Sequence, residues 1–200
     1  MSFFEPNPPR EPVAQPAPVP EWLEEPRGWV GGVVGTRIAL ATTPDVAVLV
    51  HSLYAFPAGM SLTVELRGRD ERATRNPHRD FHKILHAEYT EGELSPVFFR
   101  FGIELADGGK ATNLVGAEER RSIRDRDEPP NAPVLSQRGG SGSGSDVDIR
   151  YWLWPLPTGE RISFVCEWPA FEVPISRADI HTTQITEAAP RARRLIASME

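Results

Sequence analysis

The chain has 200 residues, which suits one domain with tails at its ends. Its net charge of −6 argues against a function that depends on phosphate contacts, so no nucleic-acid partner is expected. The single cysteine, Cys166, the lack of a signal-peptide pattern and the lack of an apolar run of about 18 residues predict a cytoplasmic protein with no membrane partner. No cofactor motif occurs, so we expect no cofactor.

Residues 1–28 form a proline-rich segment that holds eight prolines. Such a segment buries too little apolar surface to offset the entropy of ordering, so we predict a disordered tail. Two alternatives are open. The tail is a ligand for an aromatic-lined groove on a partner, or Trp22 and Leu23 dock on the domain.

The domain proper is predicted over residues 29–176 and consists of short strands. Apolar side chains alternate at residues 36–40, 46–50 and 60–66, and the second strand continues, with a bulge, to Phe56. The turn at residues 57–59 joins strands two and three into a hairpin. A further strand over residues 97–105 is followed by Asp107–Gly108–Gly109, which predicts a tight hairpin turn and a returning strand.

Two stretches of this domain are predicted to be irregular. Residues 68–95 form a polar insertion in which Asn76 and Pro77 are typical of a helix start, so a short helix could follow over residues 77–88. Residues 139–145, GGSGSGS, have the composition of a flexible loop.

Residues 150–169, RYWLWPLPTGERISFVCEWP, contain three of the five tryptophans. Alternation on both sides of the Pro/Gly segment at 155–159 predicts two strands, which we interpret as a hairpin. Cys166 falls on the apolar face, which predicts a buried, unreactive thiol.

The last segment, residues 177–200, is predicted to be helical because its apolar residues recur at three- and four-residue steps, although Pro190 interrupts the pattern. Many short strands without β–α–β alternation favour an all-β fold. We predict an antiparallel β-sandwich, immunoglobulin-like or jelly-roll, with a C-terminal α-helix. The Cys…Trp…Cys pattern of immunoglobulin domains proper is absent.

Aromatic and arginine side chains fall on the nominally outward faces of two strands. They are predicted as a binding surface because both residue types are favoured at protein interfaces. The alternative is that loops, the N-terminal tail or the C-terminal helix cover the rings. The candidate residues are Trp152, Trp154, Arg150, Phe98 and Arg100.

Candidates for chemistry are sparse. His78, His82 and His86 are spaced as on one side of a helix and are weak candidates for a zinc site, although a solvated insertion explains them as well. Three glutamates on mixed strand faces could form a glycosidase pair, but cross-strand pairs with arginines such as Arg67 and Arg100 explain them without catalysis. They are Glu65, Glu104 and Glu167. Neither Ser52 nor Ser163 lies in a nucleophile motif.

Two stretches, FGIELADGGKATNL (residues 101–114) and YWLWPLPTGERISFVCEWPAFEVP (residues 151–174), together with the glycine-rich run before the second, resemble an uncharacterised family of actinobacterial hypothetical proteins. The resemblance covers roughly residues 29–196. It implies a compact bacterial cytoplasmic protein and carries no activity, ligand or catalytic residue.

The sequence therefore favours a non-catalytic interaction module. It would act on a protein partner, or by self-association, through the Trp/Arg surface, the terminal helix or the proline-rich tail. One alternative is a β-sandwich that binds a small ligand or a carbohydrate, with tryptophans as stacking platforms. The other is a metal-dependent hydrolase that uses the histidines at residues 78–86.

Overall fold

The computed structural model describes residues 19–70, 75–76, 79–81 and 94–196. Its strands are antiparallel throughout, which confirms the predicted all-β fold. In chain order the strands are β1 (Trp29–Val30), β2 (Gly32–Val34), β3 (Ile38–Thr42), β4 (Val46–Ala55), β5 (Met60–Gly68), β6 (Arg75–Asn76), β7 (Arg79–Asp80), β8 (Arg100–Glu104), β9 (Lys110–Thr112), β10 (Val134–Ser143), β11 (Asp146–Trp154), β12 (Arg161–Trp168), β13 (Val173–His181) and β14 (Arg193–Arg194). The described α-helices are α1 (Ala117–Arg124) and α2 (Thr183–Ala188), and neither is long and apolar enough to cross a membrane.

Two sheets hold most of the described strands. The first sheet has the order β10–β11–β5–β4–β2, and β3 also pairs with β4. The second has the order β13–β12–β8–β9. The predicted hairpins β4–β5 and β8–β9 are both confirmed, with Val50 opposite Val64 in the first and Ile103 opposite Ala111 in the second.

The buried side chains of both sheets belong to one hydrophobic cluster. Leu62, Val64 and Leu66 of β5 are fully buried, as their alternation predicts. Across the core, Phe101 of β8 stacks on Tyr151 of β11 with ring centroids 5.3 Å apart. The choice between an immunoglobulin-like and a jelly-roll sandwich stays a prediction.

Cys166 is buried in this core, as predicted. Burial raises the pKa of its thiol to about 12, because a thiolate would lose its hydration there. Burial likewise raises the pKa of the Tyr151 phenol. Both groups are therefore uncharged parts of the core at neutral pH.

The expected hairpin over residues 150–169 is wrong, although both of its strands exist. Strand β11 pairs with β10 and β5 in the first sheet, whereas β12 pairs with β13 and β8 in the second. The proline-rich segment between them therefore connects the two sheets. Alternation determines which side chains face the core but not which strand lies beside them. Here β11 and β12 each pair with two other strands.

The glycine-serine run at residues 139–145 was predicted as a flexible loop, and this is also wrong. Residues 139–143 belong to the edge strand β10, where Gly140 lies opposite Ile149 and Ser143 lies opposite Asp146. Only Gly144 and Ser145 form the turn, and Gly144 has a positive φ of 61°. Pairing with the apolar strand β11 overrides the low strand propensity of glycine.

The C-terminal segment contains far less helix than predicted. Strand β13 continues to His181, so residues 177–181 are extended, and α2 ends at Ala188. Pro190 lies in the 3₁₀ turn that follows, as expected of a residue that cannot donate in a helix. Helix α2 packs so closely on β2 that a Cβ at Gly32 would lie 1.8 Å from the carbonyl oxygen of Ala188. The last four residues, 197–200, lie outside the described part.

The polar insertion at residues 68–95 is described only in part, and most of the predicted helix over 77–88 lies outside the described residues. The described pieces include Arg79–Asp80, which form strand β7 rather than helix. Phe81 is one of these pieces and is 1% exposed. Its ring lies 5.1 Å from both Trp168 and Phe171, so the insertion contributes an aromatic side chain to the core.

Candidate functional site: a polar pocket on the outer face of the first sheet

The residues of the predicted Trp/Arg surface are divided between the two sheets. Arg150, Trp152 and Trp154 lie on β11, whereas Arg100 begins β8 and Phe98 lies two residues before it. Arg100 forms an ion pair with Glu167, its register neighbour on β12. It is one cross-strand pair between a glutamate and an arginine of the kind that the sequence predicted.

Trp152 does not contribute to an exposed surface, so this part of the prediction is corrected. Its side chain is 0% exposed, and its indole N–H donates to the carbonyl of Glu21 over 2.9 Å. Trp154 is half-buried, and its ring centroid lies 6.5 Å from that of Trp22 in an edge-to-face arrangement. The rings are therefore covered by the chain itself, which is the alternative that the sequence left open. Arg150 is exposed.

The cover consists of residues 20–24, which the sequence assigned to the tail. Trp22 is buried, and its indole N–H donates to the carbonyl of Ile123 at the end of α1 over 2.9 Å. Arg138 of β10 donates to the carbonyl of Leu23 over 3.3 Å and pairs with Glu24. The predicted tail is thus part of the folded body from about Pro20 onward, and residues 1–18 lie outside the described part.

Beside this closed region, the same sheet carries a surface pocket of about 560 Å³. We call the side of β4, β5 and β11 that faces away from the core the outer face. On this face Thr63 of β5 lies opposite His51 of β4, and Glu65 of β5 lies opposite Asp148 of β11. The pocket residues come from β2, the β2–β3 connection and strands β4, β5 and β11. They are Val33, Val34, Gly35, Thr36, Arg37, His51, Ser52, Leu53, Tyr54, Glu65, Arg67 and Asp148.

A β-bulge in β4 shapes the floor of the pocket. His51 lies opposite Thr63 and Tyr54 opposite Ser61, so Ser52 and Leu53 together face one residue of β5. Ser52 has φ = 50°, a left-handed conformation that is uncommon for any residue but glycine. Consecutive side chains of a regular strand point to opposite faces. Here the bulge brings Ser52 Oγ to 2.8 Å from Nδ1 of the preceding His51.

A buried carboxylate lies next to this pair. Glu65 is 7% exposed and accepts hydrogen bonds from Arg37, at 3.0 Å, and from Arg67. Its Oε2 also lies 3.5 Å from Nε2 of His51. That ring nitrogen is buried and has no hydrogen-bond partner among the described residues. The carboxylate therefore faces the imidazole on the side away from Ser52.

The other two glutamates proposed for a glycosidase pair also have arginine partners. Glu104 pairs with Arg177 and Glu167 with Arg100. Glu65 pairs with Arg67 two residues along its own strand rather than across strands. Ion pairing thus accounts for the positions of all three carboxylates.

The histidines of the weak metal candidate, His78, His82 and His86, lie outside the described residues. Within the described ranges, no group of three or more His, Cys, Asp or Glu side chains is arranged to hold a metal ion.

No protein-family model, curated protein sequence or solved structure matches the chain. The comparisons therefore do not bear on the resemblance to actinobacterial hypothetical proteins, which stays a prediction.

Sequence reasoning did not bring His51, Ser52 and Glu65 together. One signal was present, because the valines at 46, 48 and 50 alternate and the strand was expected to continue, with a bulge, to Phe56. Glu65 is fourteen residues from His51 and becomes its neighbour only through the register of β4 against β5. A bulge can be anticipated from a break in alternation, but the side chains that it brings together cannot.

Proposed function

We propose that this protein binds a small, uncharged organic molecule in the pocket, one that presents a carbonyl or similar acceptor oxygen beside an apolar group. The observation that carries the proposal is the combination of Arg37 and Arg67 with a surface pocket of about 560 Å³. That volume is in the range of small-molecule sites. The proposal develops the small-ligand alternative that the sequence left open. It places the ligand in this pocket rather than on the tryptophans.

The charges of the pocket lining favour an uncharged ligand. Among the described lining residues, the positive charges of Arg37 and Arg67 are balanced by the negative charges of Glu65 and Asp148. The arginine side chains are 58% and 54% exposed, so part of each donor fork faces the pocket or solvent after the bonds to Glu65. A guanidinium carries five N–H donors in a fixed plane, which leaves donors for a ligand oxygen.

The apolar part of the ligand would lie on Val33 and Tyr54. These side chains are 62% and 38% exposed, and both line the pocket. An exposed aromatic ring beside a branched aliphatic side chain gives a surface on which a ring or short alkyl chain can pack. A ligand with both features would use the arginines for orientation and this wall for most of its buried area.

Titration with acetophenone and with ethylbenzene tests the proposal, because the two molecules share a skeleton and differ in the carbonyl oxygen. Amide shifts in a ¹H–¹⁵N spectrum of the full chain should locate acetophenone at residues 33–37 and 51–54. We expect a dissociation constant on the order of 1 mM, as for weak ligands of this size. Ethylbenzene should bind more weakly, and Arg37→Ala should weaken acetophenone about fivefold through the lost hydrogen bond.

Arg161→Ala is the matched control, since Arg161 is an exposed arginine on the second sheet. It should leave acetophenone binding unchanged. Equal affinity for the two molecules, or shifts confined to other regions, would contradict the proposal.

A second candidate function is self-association through β10, which is one version of the interaction module expected from the sequence. Strand β10 has ten residues and ends the order of the first sheet, and its residues 139–143 are exposed. Small side chains on an edge strand leave the backbone accessible to a second strand. Light scattering over a concentration series should show a dimer that Ser141→Lys weakens. A monomer at every concentration would exclude this candidate.

The cytoplasm remains the proposed compartment. The single buried thiol supports it, because Cys166 forms no disulfide within the chain.

A further inference from the structure

We propose that the pocket hydrolyses esters of small carboxylic acids, with Ser52 as the nucleophile, His51 as the general base and Glu65 as a positioning residue for the imidazole. The inference rests on the proposed ligand pocket and identifies the ligand as an ester. It uses three residues that share one wall of that pocket.

The first requirement of such a site is a hydroxyl within hydrogen-bond reach of a base. Ser52 Oγ and His51 Nδ1 are 2.8 Å apart. In many serine hydrolases it is Nε2 that faces the serine. Either ring nitrogen of a neutral imidazole can accept the proton, so the reversed orientation leaves the chemistry unchanged.

The second requirement is a carboxylate on the other side of the imidazole. Glu65 Oε2 is 3.5 Å from His51 Nε2, which is buried and has no other partner within the described part of the chain. A distance of this size before substrate binds is common for catalytic groups, which come closer in the complex with substrate. Arg37 and Arg67 hold the Glu65 carboxylate in place, so the imidazole rather than the carboxylate is free to adjust.

Accessibility decreases along the three residues in the order that the chemistry needs. Ser52 is exposed, the His51 side chain is 25% exposed and that of Glu65 is 9% exposed. The nucleophile can therefore reach a substrate while the charge of the carboxylate stays shielded from water. A buried carboxylate stabilises an imidazolium more strongly than an exposed one does.

The backbone at Ser52 gives an independent reason to suspect a role in chemistry. A non-glycine residue at φ = 50° costs stability, and such residues cluster at functional sites. At this position glycine would relieve the strain. In its left-handed conformation, Ser52 places its hydroxyl on the same side as the His51 ring. A need for this hydroxyl explains why the position is serine rather than glycine.

The reaction balances with water as the co-reactant. The Ser52 oxygen attacks the ester carbonyl carbon as its proton passes to His51 Nδ1, and the carbonyl electron pair moves to oxygen. Collapse of this adduct breaks the bond to the alcohol oxygen, which takes the proton from His51 and leaves as the alcohol. Water then attacks the acyl group on Ser52 in the same way, so the acid is released and the serine is restored.

Positive charge for the developing oxyanion is available in the same pocket. Arg37 and Arg67 are its two guanidinium groups, and both remain more than half exposed while bound to Glu65. Donors that are fixed in place before the reaction stabilise such charge without reorganisation.

Covalent labelling with a fluorophosphonate probe, followed by peptide mapping of the full chain, tests the nucleophile directly. We expect a single adduct on Ser52, together with hydrolysis of 4-nitrophenyl butyrate. Ser52→Ala should abolish the adduct and lower turnover by about 10²-fold or more. Ser122→Ala, a change at an exposed serine on α1, is the matched control and should change neither result.

Ser52→Gly separates chemistry from folding. It should also abolish the adduct, while its melting temperature is equal to or above that of the unchanged protein because the strain is relieved. Glu65→Gln should lower kcat by at least about tenfold, a larger factor than the one by which it weakens acetophenone binding, and Glu65→Asp should restore part of the rate. If Glu65 only held Arg37 and Arg67 in place, acetophenone affinity would fall by at least as large a factor as kcat.

The two proposals fail in different ways. An adduct at another residue, or equal turnover by Ser52→Ala and the unchanged protein, would overturn the nucleophile even if acetophenone binds in the pocket. If acetophenone does not bind at residues 33–37 and 51–54, the ligand pocket itself is overturned.

Discussion

The outer face of the first sheet has two regions that differ in exposure to solvent. At one end Trp152 and Ser61, which lie opposite each other in register, are 0% and 4% exposed, and the Trp152 indole bonds to Glu21. A few residues along the same strands, Arg150 and Ser52 are exposed, and the pocket opens. All of these side chains lie on strands β4, β5 and β11, so strand position alone does not separate them.

The difference comes from a segment that is distant in sequence. The indole of Trp152 is capped by Glu21, which is 131 positions away, and Trp154 is covered by Trp22. No such cover lies over His51 and Ser52 among the described residues. On this outward face the chain thus covers Trp152, while Arg150 and Ser52 stay exposed.

The largest effect expected in the closed region is that of Trp152→Ala. Removal of a fully buried indole should lower the free energy of unfolding by about 3–5 kcal/mol through the lost contacts and the cavity left behind. Denaturant unfolding measures this change. Tyr54→Ala, at an exposed ring on the open part of the face, is the comparison and should cost far less. Similar losses for the two variants would show that the closed and open regions do not differ in stability.

Trp22→Ala tests the cover itself. The ring is 7% exposed and contacts Trp154, and its N–H bonds to Ile123, so we expect a loss of about 2 kcal/mol in the free energy of unfolding. Quenching of tryptophan fluorescence by acrylamide should rise at the same time, because Trp154 becomes accessible. Residues 20–24 would not cover this region if Trp22→Ala left both the free energy of unfolding and the acrylamide quenching constant unchanged.

In the open region, Glu65→Gln should cost about 1–2 kcal/mol in the free energy of unfolding, since charged hydrogen bonds to Arg37 and Arg67 are replaced by neutral ones. The loss is smaller than for the tryptophans because the arginines are about half exposed and can be hydrated. Denaturant unfolding, with Glu104→Gln as a matched change in an ion pair of the second sheet, measures it. A loss as large as that of Trp152→Ala would contradict this ranking.

The smallest effect is expected at Asp179 on the second sheet. A hydrogen bond from Ser163, at 2.6 Å, and the nearby Arg161 and Arg177 hold the pKa of its carboxyl below the usual value. A lowered folded-state pKa contributes stability that is full above the unfolded pKa, about 3.9, and is lost as the pH falls through the folded pKa. Asp179→Asn should therefore destabilise the protein slightly at pH 7 and not at strongly acidic pH.

Melting temperatures across a pH series measure this difference, with Asp127→Asn, at an exposed loop aspartate, as the control. A destabilisation by Asp179→Asn that is as large at strongly acidic pH as at pH 7 would rule out the charge as its cause.

Local patterns predicted the strands and the short hairpins. Alternation at residues 60–66 placed Leu62 and Val64 in the core, and Asp107–Gly108–Gly109 specified the β8–β9 turn. Both predictions rest on neighbours within a few residues, where side-chain direction and turn geometry leave little choice. The burial of Cys166 followed from the same alternation.

Only the tertiary structure decided which strands pair and which outward side chains stay exposed. The pattern at residues 150–169 predicted two strands but not that they belong to two different sheets. The composition of residues 139–143 indicated a loop, whereas pairing with β11 makes them a strand. The cover over Trp152 and the meeting of His51, Ser52 and Glu65 likewise depend on register and on contacts between distant segments. Alternation determines the face of a residue, whereas its neighbours follow from the competition among all strands and segments for the same edges and surfaces.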